Sequence, residues 1–447
     1  MISFELTDTV EGQKTVQVQY RESGERKRLY LHSKYSPMKE AARFAQENMA
    51  NQKKINVVYG FGLGYHVEKM LDLLEDDNEL HVFDLNYHLF RESLNYRDYS
   101  KMLADSRLKL YITPRLGELA DKLAKVLDGG EPANIVLHMP SVNSLDDDHL
   151  QLKYVLMELN LRKNIDQQSL ALLEKNFQEN RSLISRNVGE FFGRFPGIPA
   201  IIVAAGPSLD KNKHLLKGIQ DKCLIIAVAQ ALRSLLETGV KPHIMVTIDP
   251  QDITYNQIQG YENLDIPFFL MATAAPVNAR RYQGPKFIAC QQESYLLPEE
   301  KHFLIKPGGS VSTTALDIAI RMGCNPIAYV GQDLAFTDNL HHSRGTYHDT
   351  HEVKILKNMR MVEDRNKQMV PTTLGMISFR NWISRRVAEE ADHLFVNATE
   401  GGAFIPGLEH ISLQEYIDKY ITAVPAAAAS KTVDAVVQGL GGAKSVL

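Results

Sequence analysis

The sequence contains few cysteines and no long hydrophobic run. Cys223, Cys290 and Cys324 are its only cysteines, and they form no CxxC pair. This spacing argues against a disulfide framework or a zinc site and is typical of a reducing compartment. Apolar stretches stay below the roughly 18 residues of a membrane span, and the acidic N-terminus lacks the features of a signal peptide. We therefore expect a cytoplasmic protein without stable membrane insertion.

An excess of positive charge is also missing. The formal net charge is -4, so no overall basic field favours nucleic acid as a partner. Hydrophobic residues make up 44% of the chain and charged residues 23%, which is ordinary for a globular protein. At roughly 100–200 residues per domain, 447 residues predict two or three domains.

The first third of the chain predicts a small β layer followed by an α/β domain. Residues 1–35 alternate polar and apolar side chains in three short runs, which indicates short antiparallel strands. Strands then alternate with helices, as in parallel sheets. The predicted strands are Ile55–Tyr59, His81–Phe83, Leu108–Ile112 and Ile135–His138. Residues 1–150 are thus predicted to form a doubly wound, Rossmann-like domain with a small β layer.

A second α/β series follows a helical region over residues 151–194, which we interpret as a connector. Phe195–Pro199 breaks the pattern with two prolines and a glycine. The strands predicted beyond this break are Ala200–Ala204, Leu224–Val228, Ile244–Ile248, Phe268–Met271, Lys286–Ile288, Pro326–Val330 and His393–Asn397. They predict a second doubly wound domain over residues 195–410, before a C-terminal helix and flexible tail over 411–447.

A glycine-rich turn in the first domain has two interpretations. Gly60–Gly64 reads GFGLG and follows the first strand of the parallel series, and Asp84 follows the second. This arrangement binds adenosyl cofactors and dinucleotides in other proteins. Because glycine turns of this kind persist after a cofactor is lost, we interpret it as a structural remnant, with a nucleotide site as the alternative.

The second domain opens with a strand that runs directly into Gly206-Pro207-Ser208-Leu209. Gly206 permits close approach of a ligand to the backbone, and Pro207 suits the start of a helix. Ser208 either caps that helix or binds a phosphate oxygen at its N-terminus. The alternative is an ordinary turn with a serine cap.

Polar residues at other predicted strand ends and helix starts extend this site. Gly308–Thr314 reads GGSVSTT at a helix start, without the lysine of a P-loop. Asp249 and Asp333 each follow a strand, where parallel sheets bind ligands. Each aspartate is also compatible with a turn or helix cap, and the loop Asn397–Gly402 is a weaker signal of the same kind.

A histidine-rich run lies between these motifs. His341, His342, His348 and His351 fall within eleven residues, which indicates an acid–base loop, a metal site or a solvated loop. Since no carboxylate stands at a recognised metal spacing, we predict no metal here.

Four of these segments together resemble the motility-associated factor (Maf) family. They are the strand with Gly206–Leu209, then Thr247–Pro250, Gly331–Ala335 and Asn397–Gly402, in that order. The resemblance covers about residues 180–410, a domain also described as 6-hydroxymethylpterin pyrophosphokinase MptE-like. The glycine turn of the first domain also resembles the usual Maf N-terminal domain.

The resemblance implies a glycosyltransferase that moves a nonulosonic acid from a CMP-activated donor to Ser or Thr of flagellin, with no required cofactor or metal. Its central domain is similar to bacterial sialyltransferases. The positions implied to contact the nucleotide or donor are Gly206, Pro207, Ser208, Leu209, Gly309, Ser310, Ser312, Gly331, Thr399, Glu400 and Gly401.

The general base does not carry over from the sialyltransferases, because Val370–Thr373 contains no histidine where they have one. The catalytic candidates are therefore Asp249, Asp333, His341, His342 and His348. Three alternatives stay open: a Mg²⁺-dependent pyrophosphokinase acting on a pterin alcohol, a methyltransferase using the first domain, and a non-catalytic flagellin-binding module.

Overall fold

The computed structural model describes most of the chain in two separate units. The described residues are 3–22, 25–127, 133–149, 152–153, 155–157, 167–347, 353, 359–422, 424 and 428–437. The chain divides by contacts into residues 1–165 and 166–447. This division lies inside the predicted connector 151–194, so the long helix Gln167–Leu183 belongs to the second unit.

The first unit begins with the predicted antiparallel layer. Its strands are β1 (Ser3–Asp8), β2 (Lys14–Glu22) and β3 (Glu25–Tyr30), in the order β1-β2-β3. Val16 and Val18 of β2 alternate with polar neighbours and are fully buried, because successive side chains of a strand point to opposite faces. The prediction of a small β layer is confirmed.

A four-stranded parallel sheet forms the rest of the first unit. Its order is β6-β5-β4-β7, and its strands are β4 (Ile55–Tyr59), β5 (Glu79–Asp84), β6 (Leu108–Ile112) and β7 (Ala133–Leu137). The helices are α1 (Pro37–Asn48), α2 (Tyr65–Leu73), α3 (Tyr87–Ser93), α4 (Ser100–Leu103), α5 (Leu116–Leu127) and α6 (Met139–Asn143). The central strand β4 is buried on both faces from Asn56 onward because helices cover both sides of such a sheet.

The second unit contains an eight-stranded sheet in which every pairing is parallel. Its order is β12-β11-β10-β9-β8-β13-β16-β17. The strands are β8 (Ala200–Val203), β9 (Leu224–Val228), β10 (Ile244–Thr247), β11 (Phe268–Met271), β12 (Lys286–Ala289), β13 (Ile327–Val330), β16 (Phe395–Asn397) and β17 (Glu409–His410). All seven predicted strands are present. The two-residue β17 is too short to produce a sequence signal.

Helices and one hairpin surround this sheet. The helices are α7 (Gln167–Leu183), α8 (Leu209–Asn212), α9 (Leu232–Glu237), α10 (Pro276–Arg281), α11 (Val311–Met322), α12 (Leu374–Ala388), α13 (Leu413–Tyr416) and α14 (Ala428–Val437). The antiparallel hairpin of β14 (Arg360–Glu363) and β15 (Met369–Thr372) was not predicted. Among the helices described here, none has the length and apolar character needed to cross a bilayer.

Helix α11 connects the two halves of the sheet. The chain runs from β8 outward to β12, and α11 then returns it to β13 on the other side of β8. Backbone N–H groups of Phe195 and Gly197 donate to the carbonyls of Met322 and Gly323 at 2.8 and 3.0 Å. Because these bonds place the end of α11 beside the start of β8, the N-terminus of α11 lies at the carboxyl edge of the sheet.

Candidate functional site

The carboxyl edge of the second sheet gathers most of the predicted motifs. Gly206–Leu209 follows β8, Gly331–Asp333 follows β13, and Thr399–Gly402 follows β16, and these are three neighbouring strands. The switch in strand order lies between β8 and β13, which is where ligands bind in open parallel sheets. Sequence and topology therefore agree on the location of a candidate site.

At this switch point, two of the predicted site residues bind each other. The backbone N–H of Ser208 donates to Asp333 Oδ1 at 3.2 Å, and its hydroxyl donates to Asp333 Oδ2 at 2.7 Å. The hydroxyl of Thr337 also donates to Asp333 Oδ1. Ser208 is 0% exposed and Asp333 3% exposed. The pair joins the loop after β8 to the loop after β13, and neither side chain faces an open cleft.

Burial raises the pKa of Asp333 above its usual range, against the opposing effect of the hydrogen bonds from Thr337 and Ser208. A carboxyl group in this environment is harder to ionise than one in water. The contacts suit an anchor for two loops, and a catalytic role for Asp333 stays a prediction.

Two glycines make this arrangement possible. A Cβ atom on Gly206 would lie 2.1 Å from Asp333 Oδ2 and 2.5 Å from the Gly331 carbonyl oxygen. Gly402 has a φ of +73°, and its Cβ would lie 2.0 Å from the Asp333 carbonyl oxygen. The sequence suggested that Gly206 admits a ligand, but the space beside its α-carbon is filled by Asp333.

Other predicted donor-binding residues are also interior. Pro207 and Leu209 are buried, and Leu209 belongs to the hydrophobic core. Ser312 is buried, and the hydroxyl of Thr399 accepts the backbone N–H of Gln332 at 3.0 Å. Gly401 packs so closely that a Cβ would lie 2.8 Å from Thr337 Cγ2. These residues pack inside the loops, so a ligand at this edge would contact their backbone groups and not their side chains.

Asp249 differs because its carboxylate is exposed at the same edge. Its Oδ1 accepts the backbone N–H of Gln251 at 2.9 Å. The following loop is held from α7, where Asn176 Nδ2 donates to the carbonyls of Pro250 and Thr273 at 2.9 and 3.1 Å. Asn176 was missed from the sequence, since a lone asparagine in a polar helix carries no signal of its partners.

The N-terminus of α11 presents a second accessible part of the site. Ser310 caps the helix by accepting the Thr313 N–H at 3.3 Å, and its hydroxyl lies 3.2 Å from that of Ser312. Gly309 is exposed with a φ of +89°. Trp382 of α12 packs against the neighbouring Gly308. A helix N-terminus with free N–H groups and a positive dipole end favours anions.

The histidine run is only partly described. His341 is exposed, and its ring meets Phe336 edge to face at 4.9 Å between centroids. His342 is half-buried, with its ring centroid 6.1 Å from that of His341. His348 and His351 lie outside the described residues. Both described histidines stay candidates for the general base.

A polar cleft of about 660 Å³ adjoins the Ser208–Asp333 pair. Its walls are the loops after β13 and β16 and the hairpin β14–β15, with Lys211 3.6 Å from the carboxylate of Asp338. Glu400, Gly401 and Arg365 also line it. Sequence reasoning missed this cleft because it missed the hairpin.

The glycine turn of the first unit is filled by the protein itself. Asp84 Oδ2 accepts the Phe61 N–H at 2.7 Å, and Oδ1 accepts the Asn86 N–H at 2.8 Å. Phe61 is 1% exposed, and a Cβ on Gly62 would lie 2.5 Å from His32 Nε2. Both carboxylate oxygens are thus engaged by backbone groups, which suits a structural remnant. Asp84 also lines a cavity of about 750 Å³ together with Tyr59 and Asn86, so a nucleotide site here stays a prediction.

Three buried histidines lie behind this turn. His32, His66 and His138 are the one group of potential metal ligands found in the described part of the chain. The rings of His66 and His138 stack at 4.3 Å with 11° between their planes, and His32 Nε2 accepts the Leu63 N–H at 2.8 Å. Parallel rings do not direct their lone pairs at one point, so the arrangement suits neutral packing better than coordination.

Comparisons with known proteins match one family model to each of the two units of the chain. Residues 6–136 match the glycosyltransferase Maf N-terminal domain, and residues 173–339 match the 6-hydroxymethylpterin diphosphokinase MptE-like domain. An uncharacterized protein of Treponema pallidum (strain Nichols) is 26% identical, over 34% of this chain and 29% of its own length. The chain thus aligns with less than a third of that relative.

One solved structure has a similar fold along nearly the whole chain. The Maf glycosyltransferase from Magnetospirillum magneticum AMB-1 superposes with a TM-score of 0.50 at 16% identity, covering 98% of this chain and 74% of its own. The chain therefore has an N-terminal segment that matches the Maf N-terminal domain and a following segment that matches the MptE-like domain, and it shares the α/β fold of that Maf glycosyltransferase.

Proposed function

We propose that the protein is a cytoplasmic glycosyltransferase that moves a nonulosonic acid from a CMP-activated donor to Ser or Thr hydroxyls of flagellin. The description of the N-terminal family model and the name of the similar structure support a glycosyltransferase. The main structural support is the carboxyl edge of the second sheet, where the α11 N-terminus and the exposed Asp249 accompany three ordered loops. No metal or cofactor is required in this proposal.

The proposed chemistry needs three contributions from the chain. The departing CMP phosphate gains negative charge, which the N–H groups of Val311 and Ser312 in the first turn of α11 and the α11 dipole would stabilise. The attacking hydroxyl loses a proton to a general base, for which His341, His342 and Asp249 are accessible candidates. General-base assistance of this kind contributes about 10²–10⁴ in rate. The third contribution is positioning, and the Ser343 N–H, which donates to the Ala205 carbonyl at 2.9 Å, holds the segment after His341 and His342 against the loop after β8.

A second candidate is a pyrophosphokinase acting on a pterin alcohol, since the family model over residues 173–339 carries that description. Such an enzyme needs Mg²⁺, which prefers carboxylate ligands. Asp333 is already bound to Ser208, so the exposed Asp249 would have to carry the ion. Loss of activity in EDTA would favour this candidate.

Calorimetric titration with CMP, ATP and S-adenosylmethionine, each with and without Mg²⁺, tests the proposal. We expect metal-independent binding of CMP, followed by a mass increase of purified flagellin when a CMP-nonulosonate is supplied. Binding of ATP with Mg²⁺ and not of CMP would favour the kinase. S-adenosylmethionine binding would contradict the remnant interpretation of the first unit.

Gly309 offers a matched pair of variants for this titration. Asp and Asn both tolerate its positive φ, but only Asp places a negative charge at the α11 N-terminus. Gly309→Asp should weaken CMP binding about tenfold or more by repelling the phosphate, whereas Gly309→Asn should bind nearly as the unmodified protein does. If the two variants bind CMP equally, the phosphate does not bind at the α11 N-terminus.

A further inference from the structure

Gln230 carries a side-chain amide whose nitrogen and oxygen are both buried and have no hydrogen-bond partner in the structure. It lies in the turn Ala229–Ala231 between β9 and α9. The parallel register pairs Ala227 of β9 with Val203 of β8. Gln230 follows Ala227 along the chain at the same spacing as Gly206 follows Val203. The amide therefore lies at the carboxyl edge of the two central strands.

A second orphaned group lies at the same edge. Ser343 is 0% exposed, and its hydroxyl has no partner. Its backbone N–H donates to the carbonyl of Ala205 at 2.9 Å, which places it beside the loop that leads to Gly206. Two neighbouring segments thus keep polar side-chain atoms unsatisfied beside the exit of β8.

An unsatisfied buried amide costs stability, whereas an apolar side chain of similar shape would not. Most buried polar groups in folded proteins have a partner, so an exception at a ligand-binding edge indicates a partner that is absent from the unliganded protein. A carboxamide presents one donor and one acceptor side by side. Its natural complement is a ligand group with an adjacent donor and acceptor.

We propose that Gln230 recognises the sugar–nucleotide donor through two hydrogen bonds, with the Ser343 hydroxyl as a further contact. This inference rests on the proposed function. Cytosine presents an amino donor beside a ring-nitrogen acceptor on one edge and can form both bonds. A trans acetamido group on the sugar directs its N–H and its carbonyl in opposite directions and can form one of them.

The stability of Gln230→Leu tests this idea without a ligand. Removing an orphaned amide should raise the melting temperature of the second unit by roughly 2–4 °C, as monitored by the fluorescence of the single tryptophan, Trp382. Asn176→Leu is the matched control, since it removes an amide with two partners and should lower the melting temperature. A lower melting temperature in Gln230→Leu would assign the amide a structural role and overturn the proposal.

Binding then identifies the group that is recognised. Gln230→Leu should weaken binding of a CMP–acetamido-sugar donor about 10–100-fold, and the milder Ser343→Ala should weaken it by a smaller factor. Equal losses for CMP and the CMP-sugar would identify the cytosine as the partner of Gln230. A loss for the CMP-sugar alone would identify the acetamido group.

Comparison with the unmodified protein distinguishes failure of the proposed function from failure of the role assigned to Gln230. If the unmodified protein fails to bind CMP and its sugar derivative, the proposed function fails. If it binds them and Gln230→Leu binds equally tightly, the proposed function stands and the role of Gln230 is refuted.

Discussion

Replacing Asp333 by Ala and by Asn distinguishes an anchor from a catalytic group. Alanine removes the acceptor of three hydrogen bonds, from the Ser208 N–H, the Ser208 hydroxyl and the Thr337 hydroxyl. At about 1 kcal/mol for each bond, Asp333→Ala should lower the free energy of unfolding by about 3 kcal/mol. Asparagine keeps one acceptor oxygen and the shape of the side chain, so its cost should be at most about 1 kcal/mol.

The pKa of Asp333 supports this difference. Since burial raises the pKa, the folded protein holds the proton more tightly than the unfolded chain does. Its contribution to stability is therefore present below the unfolded pKa near 3.8 and is lost as the pH rises through the folded value. At neutral pH the charge opposes folding, and asparagine resembles the protonated form that the site prefers.

Urea denaturation followed by Trp382 fluorescence measures the effect, because this single tryptophan reports on the second unit alone. Asp249→Ala is the control, as an exposed aspartate at the same edge should change stability by no more than about 0.5 kcal/mol. If Asp333→Ala is as stable as the unmodified protein, the anchor argument is wrong. Loss of turnover by about 10² or more in a fully stable Asp333→Asn would instead indicate direct catalysis.

Three further changes test other parts of the structure. Gly206→Ala would place a Cβ 2.1 Å from Asp333 Oδ2, so the same denaturation assay should show a loss of at least about 2 kcal/mol. Burial lowers the pKa of His66 to about 4 from 6.5, so this histidine alone should cost the first unit about 3 kcal/mol as the pH falls from 6.5 to 4, measured by hydrogen exchange. Burial also lowers the pKa of His32 and of His138, so His66→Gln should reduce the loss without abolishing it. Arg386→Met leaves the buried carboxylate of Asp317 without its ion-pair partner and should cost about 3–5 kcal/mol, whereas adding Asp317→Leu should restore most of the melting temperature.

The sequence by itself determined the longer strands of both parallel sheets, their parallel arrangement and the end of the sheet where the motifs meet. Leu224–Val228 is uninterrupted in its apolar character, and such a run is stable only when a strand is covered on both faces. Since parallel strands all end at one edge, the sequence alone predicts Gly206, Asp249 and Asp333 at the same edge. The resemblance to the Maf family also followed from the order of these segments.

The tertiary structure alone decided which of these residues face a ligand and which face each other. Ser208 and Asp333 are 125 positions apart, and no local pattern encodes that a hydroxyl will point at a carboxylate rather than into a cleft. The hairpin β14–β15 and the orphaned amide of Gln230 were invisible for the same reason. Periodicity along a chain records which face of an element is apolar, whereas hydrogen-bond partners depend on distances between elements that only the folded protein sets.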